Sequence, residues 1–146
     1  MPQRILLSGP AGSGKSQIAR ALLNELSDPT VAADFQSVVV ALLQLQRLAD
    51  GKYPIRPEWV LPIAEYTRRA IITGAVNRDL GLIVTNSDGD PGRRAFLLDQ
   101  MGPDAVERIE DPGQDVVSAR LADPLTGELS IECEGAIERW YDGLGS

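Results

Sequence analysis

Apolar residues in this chain occur in two kinds of stretch, and the two kinds alternate. Short unbroken runs read as strands buried on both faces, while apolar residues recurring every three or four positions read as helices. Ile5-Leu6-Leu7 is the first strand, and Ile18, Ala19, Leu22, Leu23 and Leu26 predict a helix over 15–26. Ser27-Asp28-Pro29 ends that helix, because proline cannot continue it and restricts the residue before it. Thr30-Val31-Ala32-Ala33 reads as a short second strand with Asp34 at its end. Over 35–49, Val38, Leu42, Leu45 and Leu48 keep helical spacing. Val38-Val39-Val40 suits a strand equally well by propensity, but the leucines continue the helical pattern for two more turns.

Residues 50–57, with Gly51, Pro54 and Pro57, form a loop carrying Lys52, Tyr53 and Arg56. That content suits a segment closing over a substrate, and it suits an ordinary connection as well. Pro62 is expected to open the next helix, with Ile63, Thr67, Ala70 and Gly74 along one face. Arg68 and Arg69 are adjacent and so point in different directions; at most one faces a site. Leu82-Ile83-Val84-Thr85 is a third strand, apolar enough to be central in a parallel sheet. After a turn over 86–92, Asp90 can cap and Pro91 can start a helix that stops at Gly102. A fourth strand over 106–110, a turn at Asp111-Pro112-Gly113, a helix over 114–121, a loop over 123–127 and a final helix over 131–140 complete the chain. Strands alternating with helices predict an α/β domain whose parallel sheet, of four to five strands, is covered on both faces.

Composition narrows the class. A chain of 146 residues is the size of one domain, and 43% hydrophobic with 24% charged residues describes a soluble globular chain with a single core. Only 5% of residues are aromatic, so the core should be aliphatic. The N-terminal residues lead straight into the first strand with no long apolar segment, so neither a secretory signal nor a transmembrane helix is expected and the protein reads as cytoplasmic. A single cysteine, Cys133, cannot form an internal disulfide, and the absence of histidine leaves acid and base chemistry to carboxylates. The net charge of −7 is uneven, +3 over residues 1–78 and −10 over 79–146. An acidic surface opposes indiscriminate binding along nucleic-acid backbones without excluding a local basic pocket.

The chemistry is carried by Gly9-Pro10-Ala11-Gly12-Ser13-Gly14-Lys15-Ser16, which fits G-x-x-x-x-G-K-[ST] between a strand and a helix. Glycines there allow successive N–H groups to turn inward around nucleotide phosphates. The nucleotide-binding candidates are therefore Gly9 to Ser16 together with Gln17, with ATP and Mg²⁺ as the expected ligands. Lys15 would reach the β and γ phosphates, Ser16 would ligate Mg²⁺, and the positive end of the following helix adds to the attraction. Ligands of parallel α/β sheets bind at the carboxyl ends of the strands, which also collects Asp34, Asn86, Asp88 and Asp111. The third strand ends in Thr85-Asn86 with no acidic residue at its tip, unlike the strand of a motor ATPase, and the Asn-Lys-x-Asp pattern of GTPases is absent.

The spacing Gly9-x-x-Gly12-x-Gly14-Lys15-Ser16 resembles that of small P-loop kinases, and further segments are similar to the group that includes bacteriophage polynucleotide kinase, zeta-toxin-like kinases and related phage and prophage ATP-binding proteins. These segments are Asp34 after the second strand, Ile83-Val84-Thr85-Asn86 followed by Arg93-Arg94, and Asp111-Pro112 leading to Val116-Val117-Ser118-Ala119-Arg120-Leu121. The resemblance covers residues 4–121 and implies a kinase-like P-loop fold over one domain, 1–146. It implies a catalytic set of Lys15, Asp34 as the carboxylate that activates the acceptor hydroxyl, and Arg120 as a lid arginine, with Arg94 a weaker candidate. The acceptor it implies is a nucleic-acid 5′ end or a nucleotide. Asp34 could equally cap the helix that begins at Phe35, and Arg120 could lie on the surface. Asp88 and Asp90 could contribute to a metal site or cap a turn, and Ile137, Trp140 and Tyr141 could form a partner surface or core. The rival function is a nucleotide-dependent accessory protein acting on a partner such as a phage nuclease or packaging component.

Overall fold

The computed structural model describes residues 2–43, 58–122, 125–127 and 131–145. Four strands, β1 (Arg4–Ser8), β2 (Thr30–Ala33), β3 (Gly81–Asn86) and β4 (Val106–Ile109), form one sheet in the order β2-β3-β1-β4. All three pairings are parallel. Six helices accompany them among the described residues: α1 (Lys15–Glu25), α2 (Phe35–Leu43), α3 (Val60–Asn77), α4 (Pro91–Met101), α5 (Gln114–Leu121) and α6 (Ile131–Leu144). The elements follow the order that the hydrophobic pattern predicts, and Val38-Val39-Val40 is helical. The rest of the stretch read as a helix to residue 49, and the loop over 50–57 with Lys52, Tyr53 and Arg56, lie outside the described residues.

The two inner strands show why their sequences are unbroken apolar runs. Successive side chains of a strand point to opposite faces. Leu6, Leu82 and Val84 pack with Ile72 and Ala75 of α3 and Leu97 and Met101 of α4. Ile5, Leu7 and Ile83 pack with Ala19 of α1, flanked by Ile18, Leu22 and Leu23. The sheet is thus covered on both faces. A third cluster, Val38 and Val39 against Val60 and Ala64, joins α2 to α3.

α4 begins as its sequence indicates: the Asp90 carboxylate accepts from the Arg93 N–H at 3.1 Å and Pro91 occupies the first turn. α3 departs from the sequence reading. It begins at Val60, two residues before Pro62, whose missing N–H costs nothing because the first four N–H groups of a helix have no partner within it. Its buried stripe is Val60, Ala64, Arg68, Ile72 and Ala75, so the expected face of Ile63, Thr67, Ala70 and Gly74 is the outer one. An arginine in the middle of the true stripe hid it from the apolar pattern. α6 runs on past Trp140 to Leu144, and Ile137 and Trp140 are core residues, while Tyr141 is half-buried. Among the described residues no helix is long and apolar enough to cross a membrane.

α6 approaches the turn after β3 closely enough that only glycine fits. A Cβ on Gly89 would lie 2.0 Å from the Trp140 carbonyl oxygen, and one on Gly143 would lie 2.5 Å from the Asp90 nitrogen. Gly135, in the same helix, has open space around it. Gly89→Ala should therefore cost about 1–3 kcal/mol through overpacking, whereas Gly135→Ala should be neutral or stabilise by up to about 1 kcal/mol through helix propensity. Thermal unfolding of the two variants, compared with the parent, checks the pair.

Candidate active site

The parallel sheet brings the carboxyl ends of β1, β2 and β3 to one edge, and the candidate residues gather there. The loop after β1 is joined to its neighbours by Gly9 N–H donating to the Asn86 carbonyl at 3.0 Å and by the Glu110 N–H donating to the Ser8 carbonyl at 2.8 Å. A Cβ on Gly9 would meet the Glu110 carbonyl oxygen at 2.1 Å, so this glycine is required by close approach. Gly12 and Gly14 have φ of 84° and 90°, the left-handed region that an L side chain rarely adopts.

Gly14 is the N-cap of α1, which has neither a side-chain cap nor an acidic residue in its first turn. A phosphate fits this helix end, since the N–H groups of Lys15, Ser16 and Gln17 have no carbonyl partner within the helix. Lys15 is buried, and its ammonium donates to the carbonyls of Gly9 and Pro10 at 2.8 Å each and to Ser13 Oγ at 3.4 Å. Burial pulls its pKa down to about 8, against the opposing attraction of the Asp34 carboxylate. Pro10, Ala11 and Ser13 complete the loop, with Ser13 buried inside it.

Asp34 follows β2, one strand removed from β1, yet it reaches the loop. Each of its carboxylate oxygens lies 3.0 Å from Ser16 Oγ, the donor of the shared hydrogen bond. Thr85 Oγ1, at the tip of the intervening β3, donates to Asp34 at 2.7 Å, and the Ser37 N–H and hydroxyl donate from the first turn of α2. Burial by itself would raise the Asp34 pKa, but the bonds from Ser37, Thr85 and Ser16 outweigh it and hold the carboxyl below its usual range. Asp34 therefore caps α2 and contacts the phosphate loop at once. A cleft of about 290 Å³ opens beside it, with Ser16, Asp34 and Ser37 at the polar end and Ala19, Leu23 and Val38 as walls.

Arg120, in the last turn of α5, donates to the Gly12 carbonyl at 3.0 Å, and Val117 and Leu121 of the same helix lie against Gly12. Arg94 is elsewhere. It forms a two-point bond with Glu107 of β4, at 3.0 and 2.5 Å, and its guanidinium lies 5.9 Å from the centre of the Trp140 ring. Asn86 stands where an acid would close β3 in a motor ATPase, and it binds the Ser8 hydroxyl and the Asp88 backbone. Asp88 accepts from the Asp90 N–H and Asp90 caps α4, so both serve the turn. Among the described residues no group of three or more Asp, Glu, Cys or His could hold a metal ion. Asp111 accepts from Tyr141 Oη at 2.7 Å and Trp140 Nε1 at 3.2 Å, tying α6 to the turn after β4.

Several residues of this region are not evident in the sequence. Thr85 and Arg93 enter the sequence reading only within the third strand and the segments Ile83-Val84-Thr85-Asn86 and Arg93-Arg94, Arg68 only as one of an adjacent pair of which at most one faces a site, and Ser37 and Glu65 not at all. Arg68 is buried and donates to the Thr85 carbonyl at 2.9 Å and to Glu65 at 2.8 Å, while Arg69 is half-exposed. The i, i+4 spacing of Val60, Ala64, Arg68 and Ile72 is the one signal that could have placed Arg68 inside.

No protein-family model matches the sequence, and no curated protein matches it. Solved structures do. A chain of the Pnkp1/Rnl/Hen1 RNA repair complex is 17% identical with a TM-score of 0.69 over 99% of this chain, which spans 44% of that chain's length. A gluconokinase from Sinorhizobium meliloti 1021 is 16% identical with a TM-score of 0.58, covering 94% of this chain and 74% of its own. The shikimate kinase of Aquifex aeolicus is 17% identical with a TM-score of 0.58, covering 98% and 82%. At these identities the likeness establishes the fold, and the fold is that of P-loop kinases.

The phosphate-binding role expected of Lys15 requires its charged form, so a pKa pulled down to about 8 would give nucleotide binding a pH limit. The charged form dominates below that value and is lost above it. Affinity for a non-hydrolysable ATP analogue should therefore be flat from pH 6 to 7 and weaken as pH rises through about 8. Lys15→Ala should bind weakly with no such decline, as equilibrium titrations across this range will show.

Proposed function

We propose that the chain is an ATP-dependent kinase that transfers the γ-phosphoryl group to a hydroxyl, with a nucleic-acid 5′ end or a nucleotide as the acceptor. The observation that carries this reading is the contact between Asp34 and Ser16: one carboxylate stands beside both the phosphate loop and an open cleft. Gly9 to Gln17 would cradle the triphosphate. Ser16 supplies a hydroxyl oxygen of the kind a hard cation prefers, so it fits Mg²⁺ and leaves the Asp34 carboxylate for the acceptor. Bound there, Mg²⁺ would neutralise phosphate charge.

The transfer forms a bond from the acceptor oxygen to the γ-phosphorus and breaks the bond to the β–γ bridging oxygen, so that ADP leaves. The hydroxyl proton passes to the Asp34 carboxylate. A carboxylate with a lowered pKa is a weak base, and it suffices where the transition state is loose and the proton departs late. Lys15 holds the β and γ phosphates. Arg120, which donates to the Gly12 carbonyl, would shift its charge onto the transferring group, and that contact supports this role.

The fold neighbours include two enzymes named as kinases and chains of an RNA repair complex, which support phosphoryl transfer and leave the acceptor open. Membership of those chains in a multi-protein complex also favours a second reading, an ATP-binding accessory protein that acts through a partner. The two readings differ at Asp34. For the kinase, labelled phosphate should pass from [γ-³²P]ATP to one member of a panel of 5′-hydroxyl oligonucleotides, nucleosides, nucleoside monophosphates and sugars. Lys15→Ala should abolish transfer. Asp34→Asn should lower it by about 10²-fold or more, while metal-free ATP affinity stays near that of the parent. Label found only in free phosphate, or an Asp34→Asn variant as active as the parent, would overturn the kinase reading in favour of the accessory one.

A further inference from the structure

The chain has two tryptophans, three tyrosines and two phenylalanines. Trp140 is core, Tyr141 is bonded to Asp111, and Phe35 packs on the cluster that joins α2 to α3. Trp59, Tyr66 and Phe96 are instead exposed, by 60%, 76% and 41%. Trp59 is the N-cap of α3, Tyr66 lies seven residues on, and Ile63, 46% exposed, stands between them. Residues at i, i+4 and i+7 share a helix face, and none of these three belongs to the buried stripe of α3. A chain with few aromatic residues thus places three of them where they add little to its own core.

The direction of α3 sets where this face lies. Ile72 and Ala75 pack against Leu82 and Val84, whereas Arg68, earlier in the helix, donates to the carbonyl of Thr85 near the end of β3. The helix therefore runs back toward the start of β3, and its residues before Arg68 project past the carboxyl edge of the sheet. At a rise of about 1.5 Å per residue, Tyr66 lies about 3 Å and Trp59 about 13 Å further out along the helix axis than Arg68. Asp34, which accepts from Thr85, is at the foot of this projection. From Tyr66 the exposed surface continues onto α4. Arg69 follows Tyr66 by three residues, and the guanidinium groups of Arg69 and Arg93 lie 5.4 and 5.5 Å from the centre of the Phe96 ring.

Exposed rings with cations beside them, at the end of the molecule where an acceptor hydroxyl must arrive, match the bases and backbone of a single strand. A second copy seated on the same face would bring the Arg69 and Arg93 charges of both copies into one interface, where like charges oppose each other. The net charge of −7 opposes binding by backbone charge alone, so the bases must supply much of the attraction. We propose that Trp59 and Tyr66 form a stacking platform for single-stranded nucleic acid, holding nucleotides on the 3′ side of the hydroxyl presented to Asp34. The proposal rests on the kinase reading and narrows its acceptor to the end of a strand. Every base has a flat face, so the platform tolerates any sequence.

The test is fluorescence anisotropy at low salt with 5′-hydroxyl oligothymidylates labelled at the 3′ end: a dinucleotide, a tetranucleotide, an octanucleotide, and an octanucleotide with abasic sites in place of its bases. Affinity should rise from the dinucleotide to the octanucleotide, and the abasic strand should bind about tenfold or more weakly than the intact one. Trp59→Ala and Tyr66→Ala should each weaken octanucleotide binding about fivefold or more. Trp59→Phe should keep most of it, and all three variants should bind a non-hydrolysable ATP analogue as the parent does, which shows that they fold. Absence of strand binding, equal binding of the abasic strand, or alanine variants that bind as the parent does would overturn the platform. So would sedimentation showing a dimer that both alanine variants convert to monomer, since the face then belongs to a second copy. Base-dependent binding lost in the variants, without phosphate transfer to any acceptor, would sink the kinase reading and leave the platform standing. Transfer to an oligonucleotide end at the parent's KM by both alanine variants would do the reverse.

Discussion

A buried carboxylate is tolerable only when donors surround it, and this requirement at Asp34 organises the whole carboxyl edge of the sheet. Its donors come from three places: Ser16 on α1, Thr85 on β3, and Ser37 on α2. Each of those elements is fixed by its own packing, α1 and β3 against the sheet and α2 against α3. The carboxylate thus joins the phosphate loop to the second and third strands, although β2 and β1 are not neighbours in the sheet. Removing it would leave three hydroxyls and the start of α2 without their shared acceptor.

Charge is arranged around that carboxylate with few participants. Lys15 is a buried cation whose charged form the Asp34 carboxylate favours, against the opposing effect of burial. β3 ends in Thr85 and Asn86, so the acidic role at this edge falls to the strand beside it, with Thr85 passing a hydrogen bond across. Arg68 supports Thr85 from behind through its carbonyl. The chain contains no histidine, and the chemistry proposed here needs none, because phosphoryl transfer relies on positioning and on fixed charge.

Two further ties keep the edge in shape. Arg94 and Glu107 bind at two points while Glu107 also accepts from Ser8, which fixes β4 beside β1 just before the phosphate loop. α6 closes against the turns after β3 and β4, through the glycine contacts at Gly89 and Gly143 and the bonds from Trp140 and Tyr141 to Asp111. Loops that carry ligand-binding residues are mobile by default, and such ties supply the rigidity a reacting geometry requires.

The sequence by itself determined the order and type of the elements, because strands buried on both faces must be apolar throughout and helices must show their period. It determined the phosphate loop too, since Gly12 and Gly14 are the residues that accept φ near 90° and a lysine and a hydroxyl follow at fixed spacing. Asp34 was legible as a candidate from its place after β2, but its two roles, cap and loop partner, could be joined only in space. The tertiary structure decided what depends on long-range contact: that Thr85 bridges two strands, that Arg94 pairs with Glu107 while Arg120 reaches the loop, and that Arg68 is inside while Arg69 is half-exposed. A local pattern records whether a side chain is apolar. It does not record which distant donor or acceptor makes burial of a polar one acceptable, and that pairing is set by the fold.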